Sequence, residues 1–261
     1  MCYGVKARTV MSIRIAKSRG DNELVEKLEK LLLPFPEFDH QYANGFSHPQ
    51  LVVYTGDKPR DPQLSIWGLV PSWVKDAGQQ KQIWNQTLNA RGETIFEKPA
   101  FRLSAKKKRC IVHVEGFYEH HHFGKRTYPF FIHSKDRDHF ALAGLWNEWM
   151  DRESGKSLHT FSIVTTAGND LLHRIHNNPK LDGPRMPVIL TEEEEGQWLT
   201  PINSETDEQA IKSLIKPFPA DAMKAFTVRP ILGKEGSGNA PNASDEFVYP
   251  ELALADPLAP N

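Results

Sequence analysis

The feature that most constrains the fold of this chain is a series of short segments rich in β-branched and aromatic residues, separated by Gly, Pro, Asn and Asp. They are four to ten residues long, which favours strands over buried helices. The predicted strands cover residues 51–54, 64–70, 109–118, 128–133, 139–148 and 160–165. Because helices are appended to this series and do not alternate with it, we expect an α+β fold: a single domain with a mainly antiparallel, barrel-like core and peripheral helices.

Three peripheral helices are predicted, and two of them have recognisable start signals. Asp21 is placed to cap a helix over residues 22–33, whose leucines recur at helical spacing. Thr191 and Glu194 have the spacing of a capping box and open a short helix that ends at Trp198. A further helix is predicted over residues 204–215.

The composition changes after about residue 231. Residues 233–242 consist mainly of Gly, Asn, Ser and charged residues, which offer little apolar surface to a core. We therefore expect a domain over residues 1–231 and a Gly/Pro/Asn-rich tail over 232–261, either mobile or laid as an extended strap over the surface.

The composition of the whole chain excludes several classes of protein. Of its 261 residues 39% are hydrophobic and 25% charged, which is typical of soluble proteins. No apolar run approaches the roughly 20 residues of a membrane span, and a signal-peptide core is not evident, so we expect a cytoplasmic protein with no membrane partner. A net charge of −1 argues against a protein that coats nucleic acid non-specifically, but leaves room for a local basic groove.

The first four residues, Met1-Cys2-Tyr3-Gly4, suggest chemistry at the amino terminus. Removal of Met1 would leave an α-amine and a thiol on Cys2, and such a 1,2-aminothiol can capture an aldehyde as a Schiff base and then close to a thiazolidine. A cysteine at position 2 can equally be without function. With only Cys110 besides, the chain has no disulfide framework, which suits a reducing compartment.

Three further stretches carry polar residues next to predicted strands or helix ends. They are Asn89-Ala90-Arg91, the strand that ends at Glu119, and His176 followed by Arg185-Met186-Pro187. Each also has a structural interpretation: a carboxylate at a strand end is commonly solvated, a histidine at a helix end commonly meets the helix dipole, and loop Asn or Arg residues commonly bond to turns.

Taken together and in this order, Cys2 and the three stretches resemble the SRAP family, the SOS-response-associated peptidase-like proteins, whose members include bacterial and vertebrate shields of abasic sites. Residues 67–73, Trp-Gly-Leu-Val-Pro-Ser-Trp, are similar to another stretch of that family. The resemblance covers about residues 1–230. The chain departs from the family where Cys-Gly-Arg is replaced by Cys2-Tyr3-Gly4, and where residues 178–184 are inserted before Arg185.

The resemblance implies a function on DNA that fits these residue types. The partner would be single-stranded DNA containing abasic sites, bound by a monomer without cofactor or metal, which would associate with the nucleoid when on DNA. Cys2 would form a thiazolidine with the ring-opened sugar aldehyde, with strand cleavage and autoproteolysis as side activities. The implied catalytic residues are Cys2, Asn89, Glu119 and His176, and the implied DNA-binding residues are Arg91, Trp67, Trp73 and Arg185.

Two other enzyme classes and one non-enzymatic class remain compatible with the sequence. A cysteine peptidase and an N-terminal-nucleophile amidohydrolase would also use Cys2, whereas a scaffold would use none of these residues. The triplet His120-His121-His122 invites a metal interpretation, but adjacent hairpin residues point in alternating directions, so we expect a turn and no metal here.

Overall fold

Thirteen strands and seven α-helices lie within the part of the chain that the computed structural model describes, residues 2–59, 61–180, 182–252 and 257–258. The strands are β1 (Gly4–Ala7), β2 (His40–Asn44), β3 (Gln50–Thr55), β4 (Gln63–Trp67), β5 (Asn89–Arg91), β6 (Arg109–Val114), β7 (Gly116–Phe123), β8 (Arg126–Ser134), β9 (Phe140–Met150), β10 (Ser157–Ala167), β11 (Arg185–Pro187), β12 (Ile189–Leu190) and β13 (Met223–Thr227). The helices are α1 (Thr9–Ser18), α2 (Asn22–Leu32), α3 (Ala77–Trp84), α4 (Arg102–Lys107), α5 (Asp170–Ile175), α6 (Glu192–Leu199) and α7 (Glu205–Ser213).

Five of these strands close into a barrel. β3 pairs with β4 and β6, β6 with β9, β9 with β10, and β10 returns to β4, so the ring has no open edge. Only the contact of β10 with β4 is parallel, which makes the barrel mixed. The short strands β5, β11 and β12 extend it by pairing with β10 or β9. The single-domain α+β fold with a barrel-like core is therefore confirmed.

A second sheet carries the amino terminus. Its five strands are antiparallel in the order β13-β8-β7-β1-β2, so β1 is held between β7 and β2. Gly4 pairs with Asn44 on one side and with Tyr118 on the other. Residue 2 therefore enters the fold beside the middle of β7, immediately before a strand that is bonded along both edges.

The predicted strand over residues 109–118 is wrong as a single element. β6 belongs to the barrel and β7 to the second sheet, and Glu115 stands at the break, where Arg8 donates to its carboxylate over 2.6–3.0 Å. A Cβ on Gly116 would overlap the carbonyl oxygen of Ile132, so this position requires glycine. The hydrophobic pattern continues through the break because both strands are buried, and so it gave no sign that the chain changes sheets.

The predicted helix starts agree with the structure. The backbone N–H of Leu24 donates to Asp21 Oδ1 over 3.1 Å, and Thr191 and Glu194 form a reciprocal capping box at α6. Ser204 caps α7 in the same way. The helix α1 was not predicted: its N-cap position, Arg8, makes no side-chain capping bond, and its first turn contains no acidic residue.

The segment after residue 231 packs on the body as a strap. Lys6 Nζ donates to Ser244 Oγ over 2.6 Å, and the Asn239 side chain bonds to the backbone on both sides of β2's start. Ala243 and Leu252 are buried, so residues that follow the Gly- and Asn-rich stretch 233–242 contribute apolar side chains to the packing. The domain boundary at residue 231 stays a prediction, and residues 253–256 and 259–261 of the predicted tail lie outside the described residues. Within the described ranges, none of the helices has the length and apolar character that a membrane crossing requires.

Candidate active site

Cys2 lies at the junction of the two sheets, two residues before β1. Its side chain is 0% exposed, and its Sγ lies 3.6 Å from the carbonyl oxygen of Gly4. Burial, and secondly the negative charge of Glu119, raise the pKa of the thiol far above its usual range. The thiol is therefore protonated at neutral pH and needs a base before it can act as a nucleophile. Met1, whose removal is predicted, lies outside the described residues.

Asn89 fixes the backbone of the candidate nucleophile. Its Nδ2 donates to the carbonyl oxygen of Cys2 over 2.7 Å. β5 holds Asn89 in place by pairing in parallel with β10, where Asn89 lies opposite Ile163. The amide thus ties the amino terminus of the chain to the end of the barrel.

Glu119 is the candidate general acid-base residue of the site. It lies inside β7 and is 4% exposed, which corrects the prediction of a carboxylate at a strand end. Burial raises the pKa of Glu119 to about 7, against the opposing effect of a hydrogen bond from the backbone of His120. A carboxyl group with such a pKa exchanges its proton in the neutral range, as a general acid-base catalyst requires.

His176 faces Glu119 from the end of α5. It is the C-cap residue of that helix, and its Nδ1 lies 3.2 Å from Glu119 Oε2. Burial lowers the pKa of His176 to about 4, with further lowering by the charges of His120 and His122. Between about pH 4 and pH 7 the imidazole is therefore neutral and the carboxyl protonated, so the proton of the pair resides on Glu119.

The histidine triplet braces this pair. Residues 120–122 lie within β7, which contradicts the predicted turn; the chain reverses at Gly124 and Lys125. His121 Nδ1 bonds to the carbonyl oxygens of Arg174 and Ile175, and the Asn177 side chain bonds to both backbone groups of His122 over 2.7 and 2.9 Å. These contacts clamp the end of α5 against β7 and so hold His176 beside Glu119.

The two arginines of the site flank the same end of β10 but differ in their surroundings. Arg91 pairs with Thr165 at the end of β5 and is exposed. Arg185 lies opposite Ala167 on β11, and its Nη2 bonds to both carboxylate oxygens of Glu93 over 2.7 and 3.0 Å. The guanidinium of Arg185 is thus already committed to a carboxylate, whereas that of Arg91 is accessible to a ligand.

The two candidate stacking tryptophans occupy different environments. Trp67 is 0% exposed, and its Nε1 donates to the carbonyl oxygen of Leu88 over 2.8 Å. The structure contradicts a stacking role for Trp67, because none of its ring surface is open to a base. Trp73 is 42% exposed and bonds to the carbonyl oxygen of Pro99, so it retains a free ring surface.

Two tyrosines of the site were missed by the sequence analysis. Tyr42 packs directly over Gly4, where a Cβ would overlap its ring, and burial raises the pKa of Tyr42 to about 12, with smaller effects of Cys2 and Glu119. Tyr3 is half-buried beside the same groups. Its position next to Cys2 was a signal available in the sequence, whereas nothing in the sequence connects residue 42 with residue 2.

One group of described residues has the spacing of metal ligands. Single donor atoms of His113, His139 and Glu195 lie within 4.8 Å of one another. Arg19 and Arg137 both donate to the Glu195 carboxylate, at 2.9 and 3.4 Å. Although burial opposes it, bonding to His113 and Arg19 lowers the pKa of Glu195 to about 2. Two guanidinium groups already balance this carboxylate, so the group fits a buried ion network better than a cation site.

The chain belongs to the family described as SOS response associated peptidase (SRAP), whose model matches residues 11–235. It is 40% identical over 198 residues to "Abasic site processing protein YoqW" of Bacillus subtilis, covering 75% of this chain and 82% of that protein. It is 32% identical over 153 residues to "Abasic site processing protein HMCES" of Gallus gallus, covering 51% of this chain and 43% of that one.

Solved structures share the fold. A crystal structure of a protein from Bacteroides thetaiotaomicron superposes with a TM-score of 0.79 at 35% identity, covering 95% of this chain and 100% of that one. A protein from Bordetella bronchiseptica, 20% identical, gives a TM-score of 0.67 over 87% of this chain and 100% of that one, and supports the fold alone.

Proposed function

We propose that this protein captures abasic sites in single-stranded DNA by forming a thiazolidine between Cys2, exposed by loss of Met1, and the aldehyde of the ring-opened sugar. The names of its homologues support an abasic-site processing role. The observation that carries the finer proposal is the placement of a residue-2 thiol, held through its carbonyl by Asn89, beside a buried carboxyl-imidazole pair.

The reaction loses one molecule of water. The α-amine of Cys2 adds to C1′ of the aldehyde to give a carbinolamine, which expels its hydroxyl as water and leaves an imine. The Sγ of Cys2 then adds to the imine carbon, and the proton of the thiol passes to the nitrogen, which closes the five-membered ring. The product has the mass of the protein and the DNA together, minus water.

Glu119 supplies the proton transfers. With a pKa of about 7, its protonated form donates to the departing hydroxyl, and its ionised form accepts the proton of the thiol, whose own pKa is too high for spontaneous ionisation. The neutral His176 bonds to the hydroxyl released when the sugar ring opens. Both groups are buried, so bulk solvent has little access to them.

The DNA is held by phosphate contacts and stacking. Arg91 binds a phosphate next to the lesion through its planar guanidinium, Trp73 stacks on a base, and Arg185 contributes a weaker contact because Glu93 competes for it. An imine at C1′ also acidifies the C2′ proton, so slow strand cleavage by β-elimination accompanies capture.

The test is the intact mass of the protein after incubation with a single-stranded oligonucleotide that carries one abasic site. We expect a species equal to des-Met protein plus DNA minus water. Cys2→Ala should abolish it, whereas Cys110→Ala should retain it, because Cys110 is buried in β6 of the barrel. A correctly trimmed protein that forms no adduct would refute the proposal and favour a peptidase or amidohydrolase that uses the same thiol.

A further inference from the structure

An exposed aromatic side chain stands next to the candidate nucleophile. Phe46 is 51% exposed, and its ring lies 4.7 Å from that of Tyr3, centroid to centroid, with 38° between the ring planes. Tyr3 is half-buried and follows Cys2 in the chain, so the pair presents one partly open aromatic surface next to the candidate nucleophile. We call Tyr3 and Phe46 the aromatic platform.

The backbone beneath the platform is fixed. The N–H of Gly45 donates to the carbonyl oxygen of Tyr3 over 2.8 Å, and the N–H of Phe46 donates to Asn44 Oδ1 over 3.1 Å. Gly45 lies against the buried ring of Trp67. The backbone of both Tyr3 and Phe46 is thus held in place. Stacking of a base on the platform should therefore cost little conformational entropy.

The platform adjoins the candidate nucleophile through Tyr3, which follows Cys2 directly in the chain. Burial raises the pKa of the Tyr3 phenol, with further raising by the charges of Glu119 and Cys2 and an opposing effect of Arg91. These influences place the ring of Tyr3 within electrostatic reach of all three groups. A nucleotide that reacts at Cys2 is therefore near the ring of Tyr3.

We propose that the aromatic platform stacks on the nucleobase adjacent to the abasic nucleotide, and so makes capture depend on the identity of that neighbouring base. The inference rests on the proposed function and adds a specificity-determining element to it. Next to an abasic nucleotide one face of the neighbouring base has lost its stacking partner, and an aromatic ring beside the nucleophile replaces that partner. Purines stack over a larger area than pyrimidines, so adenine should be favoured over thymine.

The sequence at this point supports a stacking contact over an ionic one. Where Cys-Gly-Arg is usual in the family, this chain has Cys2-Tyr3-Gly4, so an aromatic ring is added directly after the nucleophile and the cation at the next position is lost. Because a stacked base releases no counterions, we expect the contribution of the platform to be nearly independent of salt. The dependence on neighbouring bases should therefore persist at high salt, where phosphate contacts weaken.

The experiment measures single-turnover crosslinking rates at protein concentrations below saturation, on oligonucleotides with one abasic site. The nucleotide on one side of the abasic site, and then the nucleotide on the other side, is varied. It carries adenine, thymine or no base, the last as a reduced and unreactive sugar. We expect the wild-type protein to react about tenfold faster with an adenine neighbour than with a baseless one on one side, as a lost stacking contact requires. Tyr3→Ala and Phe46→Ala should reduce this ratio to nearly 1, whereas Tyr3→Phe should keep it.

The ratio of the rate with an adenine neighbour to the rate with a baseless neighbour is compared within each variant. A folding defect lowers both rates and leaves this ratio unchanged, so the ratio reports on stacking alone. Phe123→Ala, which removes an exposed aromatic side chain at the end of β7, is the matched control and should leave the ratio unchanged. Equal rates for all neighbours, or a ratio that survives in both Tyr3→Ala and Phe46→Ala, would overturn the aromatic platform. Absence of crosslinking with every oligonucleotide would instead overturn the proposed function.

Discussion

At the scale of single residues, the burial of Glu119 sets the pH range in which the site exchanges protons. Replacement by Gln keeps the shape and removes the exchangeable proton, so we expect crosslinking by Glu119→Gln to slow by about 10²-fold, the usual contribution of a general acid-base group. The affinity for DNA should stay within about twofold, because the side chain is 4% exposed and adds little contact area to the bound DNA. Quench-flow rates and fluorescence anisotropy measure the two quantities; an unchanged rate would remove Glu119 from the mechanism.

The same carboxyl group makes stability depend on pH. Its pKa rises from 4.5 to about 7 on folding because burial penalises the charged form. The stabilisation from the protonated form is thus complete below about pH 4.5 and is lost as the pH rises to 7. Relative to wild type, Glu119→Gln should gain about 2 kcal/mol, or roughly 5 °C in melting temperature, between pH 5 and pH 8.5. Calorimetry at the two pH values checks this. If the difference in stability between Glu119→Gln and wild type is the same at both, the pKa of Glu119 is that of an ordinary carboxyl group.

The two arginines should differ in their dependence on salt. Arg91→Ala should flatten the slope of log affinity against log salt by about 0.7, the value for one lost phosphate contact on a single strand. Arg185→Ala should change the slope less, because Glu93 already neutralises that guanidinium. Anisotropy titrations from 50 to 300 mM salt distinguish the two variants; equal effects would show that DNA displaces Glu93 from Arg185.

At the scale of elements, the short helix α5 positions the imidazole. Asn169 caps it by accepting from the N–H of Leu172 over 3.0 Å and also donates to the carbonyl oxygen of Phe218 over 2.7 Å. Asn169→Ala should cost about 1 kcal/mol of stability, as loss of a cap does, and should also slow crosslinking, because His176 ends this helix.

The matched control is another cap. Ser204→Ala removes the corresponding bond at α7, whose residues are not among those that build the site. It should cost a similar free energy of unfolding without any change in rate. Urea unfolding and single-turnover rates are measured on both variants. If loss of either cap slows the reaction equally, α5 does not position His176 for the reaction.

Elements with a local signal were predictable, and those defined by long-range contacts were not. The caps at Asp21, Thr191 and Ser204 depend on bonds within four residues, so the sequence displays them. The placement of residues 120–122 inside a strand depends on pairing with β8 and on contacts with α5, which local sequence does not encode. For the same reason the short strands β1 and β5, which carry the site, were not recognised as strands.

At the scale of the whole molecule, the strap after residue 231 is part of the folded body. Removal of residues 232–261 takes away the bond between Lys6 and Ser244 and the buried side chains of Ala243 and Leu252, so we expect a loss of about 2 kcal/mol or more. Urea unfolding of the truncated and full-length chains measures the difference. Unchanged stability would mean that this segment lies on the body without stabilising it.

The residue types of the candidate site could be predicted from the sequence, but their protonation states could not. The resemblance of motif order to the SRAP family singled out Cys2, Asn89, Glu119 and His176 as candidate site residues, and their catalytic roles stay predictions. Their protonation states follow from burial at the junction of two sheets, which only the assembled fold defines. Trp67 was misassigned for the same reason, because an aromatic residue in a strand has the same sequence pattern whether its ring is buried or open.

The position of β1 between two strands has a mechanical consequence. A motor that drags the strand of a DNA adduct would pull on residue 2, and the force would enter the protein along β1. The bonds of β1 to β2 and β7 run across the direction of pull, so they are loaded in shear together and not broken one at a time. If the proposed adduct forms, the pairing of β1 on both edges should therefore resist unfolding of the protein by a pulled DNA strand.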